Sequence, residues 1–213
     1  MLKPSDQEYQ QTRHIKLGKA TIDEKFNDFA EWIKKKYAVQ VLNIYTDVIN
    51  DDTLRLQLIF EHEADLNKFF LKDRLTSSKR VVKAIDKKYR ELFQIMDSQP
   101  VLVLFYAFEP LAKEEANTSI PLKMIISFKE KYKDTVWEIA RFGQHVTVFF
   151  YTKAQLNEAQ RDKLTEKLKQ AYFEILKEND ELNYFTLTNL NMIFDSKENF
   201  DKNYDGNWRA YYG

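Results

Sequence analysis

Cysteine is absent from this chain. That removes disulfides, thiolate nucleophiles and thiolate-held zinc or iron–sulfur centres together, and it fits a reducing compartment. Glycine is nearly as scarce. Gly18, Gly143, Gly206 and Gly213 are the only four, so no phosphate-cradling loop, dinucleotide fingerprint or Gly-x-Ser-x-Gly elbow can be written. Net charge is missing too, with 33 basic residues balancing 33 acidic ones. A dedicated polyanion binder carries a basic excess, so the balance argues against nucleic acid. The longest apolar run, Val101 to Phe108, is eight residues, against the ~20 of a membrane span. Residues 1–11 are polar and lack the apolar core of a signal peptide. The expectation is a cytoplasmic protein with no membrane partner.

What the chain does have is aromatic residues and a repeated pattern. Sixteen Phe, twelve Tyr and three Trp stand among 213 residues, enough stacking and apolar area to fill a real core. Ile22, Phe26, Phe29, Ile33 and Tyr37 recur at helical spacing, behind the capping-box pattern Thr21-Ile-Asp-Glu24. Val39–Asp47 and Thr53–Phe60 read as paired strands around an Asn50-Asp51-Asp52 turn. Residues 61–78 hold a short helix and a loop. A long helix carries Val82, Ile85, Tyr89, Leu92, Phe93 and Met96. Val101–Phe108, apolar on both faces, reads as an interior strand.

The same series then recurs. Helix 120–133 matches the first helix with a shift of 95, placing Tyr37 on Tyr132. Val136–Arg141 and Val146–Tyr151 form a hairpin about Gly143-Gln144, whose first central residue needs positive φ. Thr152 and Gln155 make a second capping box. A shift of 83 then places Ile85, Tyr89, Leu92 and Phe93 on Leu168, Tyr172, Ile175 and Leu176. Tyr184–Phe194 closes the series. The reading is an α+β chain of tandem duplicated αββαβ units, with a mainly antiparallel sheet and helices packed on one face. With His14–Leu17 as a leading strand, the first copy has the strand order of a ferredoxin-like unit. The organisation is a loose tail over 1–11, a first repeat over 12–108, a connection over 109–119 and a second repeat over 120–213. Whether the copies share one sheet stays open.

Chemistry-bearing patterns are few. Asp201, Asn203 and Asp205, followed by Gly206, place oxygen ligands at alternate positions and resemble the first half of an EF-hand-type loop, which implies calcium as a cofactor. Position twelve is Tyr212, where that loop carries glutamate. Arg141–Phe149 resembles the RNP1 segment of RNA-recognition motifs. Its stacking positions would fall near Phe142, Val146 and Val148. Lys79, Lys83, Lys87 and Arg90 share one helix face that suits an acidic partner or a phosphate. Trp208, Tyr211 and Tyr212, beside Arg209, have the composition of a binding hot spot. His14, His62 and His145 sit in no ligand spacing. Asp51/Asp52 and Glu114/Glu115 read as surface charge. With no catalytic constellation, the leading expectation is a non-enzymatic, cytoplasmic protein-binding module of inhibitor, immunity or adaptor type. The alternative is an enzyme or small-ligand binder with a pocket between the repeats, and the third is RNA binding by a ferredoxin-like sheet.

Overall fold

The structure, a computed structural model, describes residues 2–50 and 52–213. Met1 and Asp51, the middle of the expected first turn, lie outside the described residues. The chain forms two units, one ending at Leu111 and the other running from Ala112 to Gly213.

The first unit begins with α1 (Gln7–Lys16) and α2 (Asn27–Tyr37). The hairpin β1 (Val41–Ile49) and β2 (Thr53–Phe60) follows. A short α3 (Glu63–Leu66) and the long α4 (Lys79–Phe93) lead to β3 (Val101–Ala107). Helix α5 (Phe108–Ser119) starts directly after β3. The second unit repeats the order: α6 (Leu122–Lys131), β4 (Val136–Phe142), β5 (His145–Phe150), α7 (Lys153–Arg161), α8 (Leu164–Lys177) and β6 (Met192–Ser196). Helices α9 (Lys197–Tyr204) and α10 (Trp208–Tyr212) follow.

Each unit has its own three-stranded sheet, ordered β1-β2-β3 and β4-β5-β6. In both, the hairpin pair is antiparallel and the last strand lies parallel to the middle one. The sheets are therefore separate and mixed, not one mainly antiparallel sheet. A bulge falls at corresponding places, between Val41 and Asn43 and between Val136 and Glu138. At Gly143 the turn takes φ +56, as the hairpin requires.

Two clusters make the cores. Ile44, Leu56, Leu58, Phe60, Val103 and Phe105 meet Phe29 and Ile33 of α2 and Ile85 and Tyr89 of α4. Val136, Ile139, Val146, Val148 and Phe150 meet Ile125 and Phe128 of α6 and Leu168 and Tyr172 of α8. The aligned pairs Ile85/Leu168 and Tyr89/Tyr172 are all buried.

Helices also cover the opposite sheet faces. In the first unit α1 lies there, where a loose tail and a short strand were expected. Its buried residues are Glu8, Tyr9 and Thr12. Thr12 Oγ1 accepts from Asn43 at 3.0 Å and Glu8 Oε1 accepts from Gln57 at 3.0 Å. A mostly polar contact leaves no apolar stripe to read. In the second unit α9 and α10 take the corresponding place.

Other local expectations shift. The cap before α2 is Asp23, which accepts from the Lys25 amide at 3.1 Å and opens a 3-10 turn over Glu24–Phe26. The Thr152/Gln155 box is present as expected. The 109–119 connection is helical, since Pro110 falls in the first turn, where no amide is needed. The closing strand is only Met192–Ser196. Before it, Thr186 and Asn189 bind each other's backbone groups and hold the chain in a turn. Finally, β3 is an edge strand; the interior place belongs to β2.

Candidate functional site

The residues that gather on the outer face of the second sheet come from three places in the sequence. The bulge in β4 inserts Trp137 as an extra residue and turns it toward α9 and α10. Phe149 of β5 is fully buried beneath Phe200 of α9, with ring centroids 5.7 Å apart. Two devices place α10. Asp205 and Gly206 take φ +52 and +65 and turn the chain out of α9. Asn207 then caps α10, its side chain accepting from the Arg209 and Ala210 amides.

The result is a row of near-parallel rings. Trp137 and Trp208 lie 3° apart at 6.2 Å, Trp208 and Tyr212 13° apart at 6.1 Å, and Tyr212 and Phe142 13° apart at 4.9 Å. Lys197 Nζ sits 5.2 Å from the Trp137 ring centre and is ion-paired with Asp201. Phe142 is 56% exposed and Trp208 39%. Behind the row, Tyr211 donates to Asp195 Oδ2 at 2.8 Å and Tyr212 to Thr147 Oγ1 at 3.2 Å. Burial pushes both phenols above their ordinary range, and the Asp195 contact pushes Tyr211 further.

Of the expected contact residues, Trp208, Tyr211 and Tyr212 thus come together, with Tyr211 turned inward. Trp137 escaped the sequence reading, because a bulge in a strand leaves no signal in the pattern. Among the RNA-type positions, Phe142 is exposed but Val146 and Val148 are fully buried under α6 and α8. The three calcium-type residues fall into a helix end. Asp201 and Asn203 lie within α9, Asn203 donating to Asn199 Oδ1 at 2.6 Å, and Asp205 is the left-handed C-cap. Ser196 starts that helix by accepting from the Asn199 amide, which commits the segment to helical geometry. Among the described residues no group of three or more His, Asp or Glu converges on a metal position.

The basic face of α4 divides in two. Lys79, Lys83 and Lys87 point into solvent. Arg90 instead holds structure: it donates to Asp86 at 2.9 Å and to the Met96 and Gln99 carbonyls at 2.6 and 2.8 Å. It ties the loop after α4 to the helix.

Polar groups also cluster beneath α1. Arg55 donates to Asp47 Oδ1 at 2.8 Å and lies 3.8 Å from Glu8 Oε1. The Asp47 hydrogen bond raises the guanidinium pKa further, so it stays charged. Arg55 thus bridges two carboxylates, with Asp47 the closer of the pair. A 350 Å³ pocket beside them is lined by Gln11, His14, Asp23, Lys25 and Tyr45. His62 Nδ1 lies 2.6 Å from Glu109 Oε2 at a second, 280 Å³ pocket. His145 Nδ1 meets Asn191 at 2.9 Å. Each histidine has its own surroundings. Comparison with family models, curated proteins and solved structures gives no match.

Proposed function

We propose that this protein is a non-enzymatic protein-binding module of inhibitor, immunity or adaptor type, acting in the cytoplasm, and that the Phe142–Tyr212–Trp208–Trp137 row is its contact surface. The observation that carries the reading is the exposure of Phe142 and Trp208 on a rigid, hydrogen-bonded support. Exposed Trp and Tyr held by fixed elements dominate protein hot spots, because little side-chain entropy is left to lose on binding. The exposed apolar area of Phe142 and Trp208 suits apolar side chains of a partner. A single-stranded nucleic acid needs free ring faces beside a basic groove, and here Lys197 is paired while Arg141 is spent on the Asn117 and Ile120 carbonyls. The three free lysines of α4 add a second surface that suits acidic groups. The common element order, strand directions and bulge position support origin of both units by duplication of one αββαβ unit.

The test is affinity capture with the wild-type chain and with Phe142→Ser, whose side chain is exposed and whose loss spares the core. A protein partner held in stoichiometric amount by the wild type and lost by the variant supports the reading. Equal retention by both, or no such partner, sinks it.

A further inference from the structure

The two sheets have four edge strands, β1, β3, β4 and β6. Exposed edges present unpaired amides and carbonyls, and proteins blunt them with charges, bulges, prolines or short length. Strand β1 carries Asp47 and a bulge. Strand β4 carries Glu138, Arg141 and a bulge. Strand β6 carries Asp195 and is five residues long. Strand β3 has none of these in its own residues, and its neighbours include the short α3 and the rings of Phe69 and Phe70, which pack against Phe105 near its C-terminal end. Its seven residues, Val-Leu-Val-Leu-Phe-Tyr-Ala, include no charge, no proline and no glycine, and its register is unbroken.

The composition is that of an interior strand, yet only one side is paired. The Leu54 amide donates to the Pro100 carbonyl at 2.9 Å. Parallel alternation then turns the amides and carbonyls of Leu102, Leu104 and Tyr106 toward β2. Those of Val101, Val103 and Phe105 face outward, away from β2, the only strand that β3 pairs with among the described residues. On the face opposite the core, Leu102 is 40% exposed.

We propose that β3 pairs antiparallel with β3 of a second copy of this chain, about a two-fold axis at Val103. In that register Val103 faces its own counterpart and Val101 faces the counterpart of Phe105, so every outward group of the three gains a partner. Leu102 then lies across from the counterpart of Leu104, apolar against apolar. A second copy fits because the strand carries no charge to repel itself and because its outward groups are symmetric about Val103. Two seven-residue strands bury less than the ~1,200–2,000 Å² of a standard interface, so the dimer is weak and reversible. It uses a different surface from the aromatic row and stands or falls separately.

Sedimentation velocity over a roughly hundredfold range of concentration tests it, because association follows mass action. The expected result is a shift from monomer to dimer. The double variant Leu102→Lys with Leu104→Lys sets lysines face to face and abolishes the shift. Leu102→Lys with Leu104→Glu restores it, since each lysine then meets a glutamate across the axis. A wild type that stays monomeric throughout overturns the proposal, as does a dimer that survives the double lysine or a charge pair that fails to restore it. Hydrogen exchange of the wild type gives a readout independent of any variant. The Val103 and Phe105 amides should slow as concentration rises, and exchange unchanged by concentration overturns the pairing.

Discussion

At the scale of single residues, Asn117 shows how much one buried amide can hold. Its Nδ2 donates to the Gly143 carbonyl at 2.9 Å, its Oδ1 accepts from Tyr172 at 2.7 Å, and its own carbonyl accepts from Arg141 at 2.6 Å. It thereby links α5, the hairpin turn and α8. Asn117→Ala would leave the Tyr172 hydroxyl buried without a partner. The expected loss is about 2–4 kcal/mol, read as a lowered denaturant midpoint with unchanged slope. Tyrosines set the alkaline limit. Burial raises Tyr172, Tyr211 and Tyr212, with Asp195 adding to Tyr211. A phenol in the unfolded chain ionises near pH 10, so below that value both states hold the proton and the stabilisation is complete. As pH climbs past about 10, the unfolded state loses its protons first, and stability falls on the way up to the folded-state values. Melting temperature should therefore decline beyond pH ~10, and Tyr211→Phe should make the decline shallower. An equal slope in wild type and variant would exclude Tyr211 from the effect.

At the scale of elements, the Thr152 cap is the simplest case. Its hydroxyl accepts from the Gln155 amide at 3.1 Å while the Gln155 side chain accepts from the Thr152 amide at 3.1 Å. Thr152→Ala should cost about 1 kcal/mol, and Thr152→Ser should recover most of it. That helix start was legible because capping chemistry is local. Helices α2, α4, α6 and α8 were legible through their apolar stripes, and both hairpins through their turn residues, Asn50-Asp51-Asp52 and Gly143-Gln144. Three other elements were not, each for its own reason. Helix α1 buries Glu8 and Thr12 against Asn43 and Gln57, so hydropathy marked it as tail. Strand β3 has apolar residues on both sides, which sequence patterning equates with a central place; only the pairing order reveals an edge. The aromatic row needs Trp137, Phe142, Trp208 and Tyr212 at once. Its C-terminal members stood out as a cluster, but which strand they would meet is a matter of tertiary structure.

At the scale of the whole molecule, each unit keeps a hydrophobic cluster of its own residues. Ile85→Ala and Leu168→Ala remove fully buried side chains at corresponding places and should each cost about 2–5 kcal/mol. Tryptophan reports which unit gives way, since Trp32 lies with the first core and Trp137 and Trp208 with the second sheet. The parallel strand pairs carry a kinetic consequence. Leu54 must find Val101, and Val146 must find Met192, across long intervening segments, whereas each hairpin closes over a few residues. Loop closure makes the near contacts fast and the distant ones slow. Pulse-labelled refolding should protect hairpin amides before those of β3 and β6. During that interval Leu56, Leu58 and Phe60 flank an open strand margin, and the hazard of misassembly is concentrated in those moments of refolding.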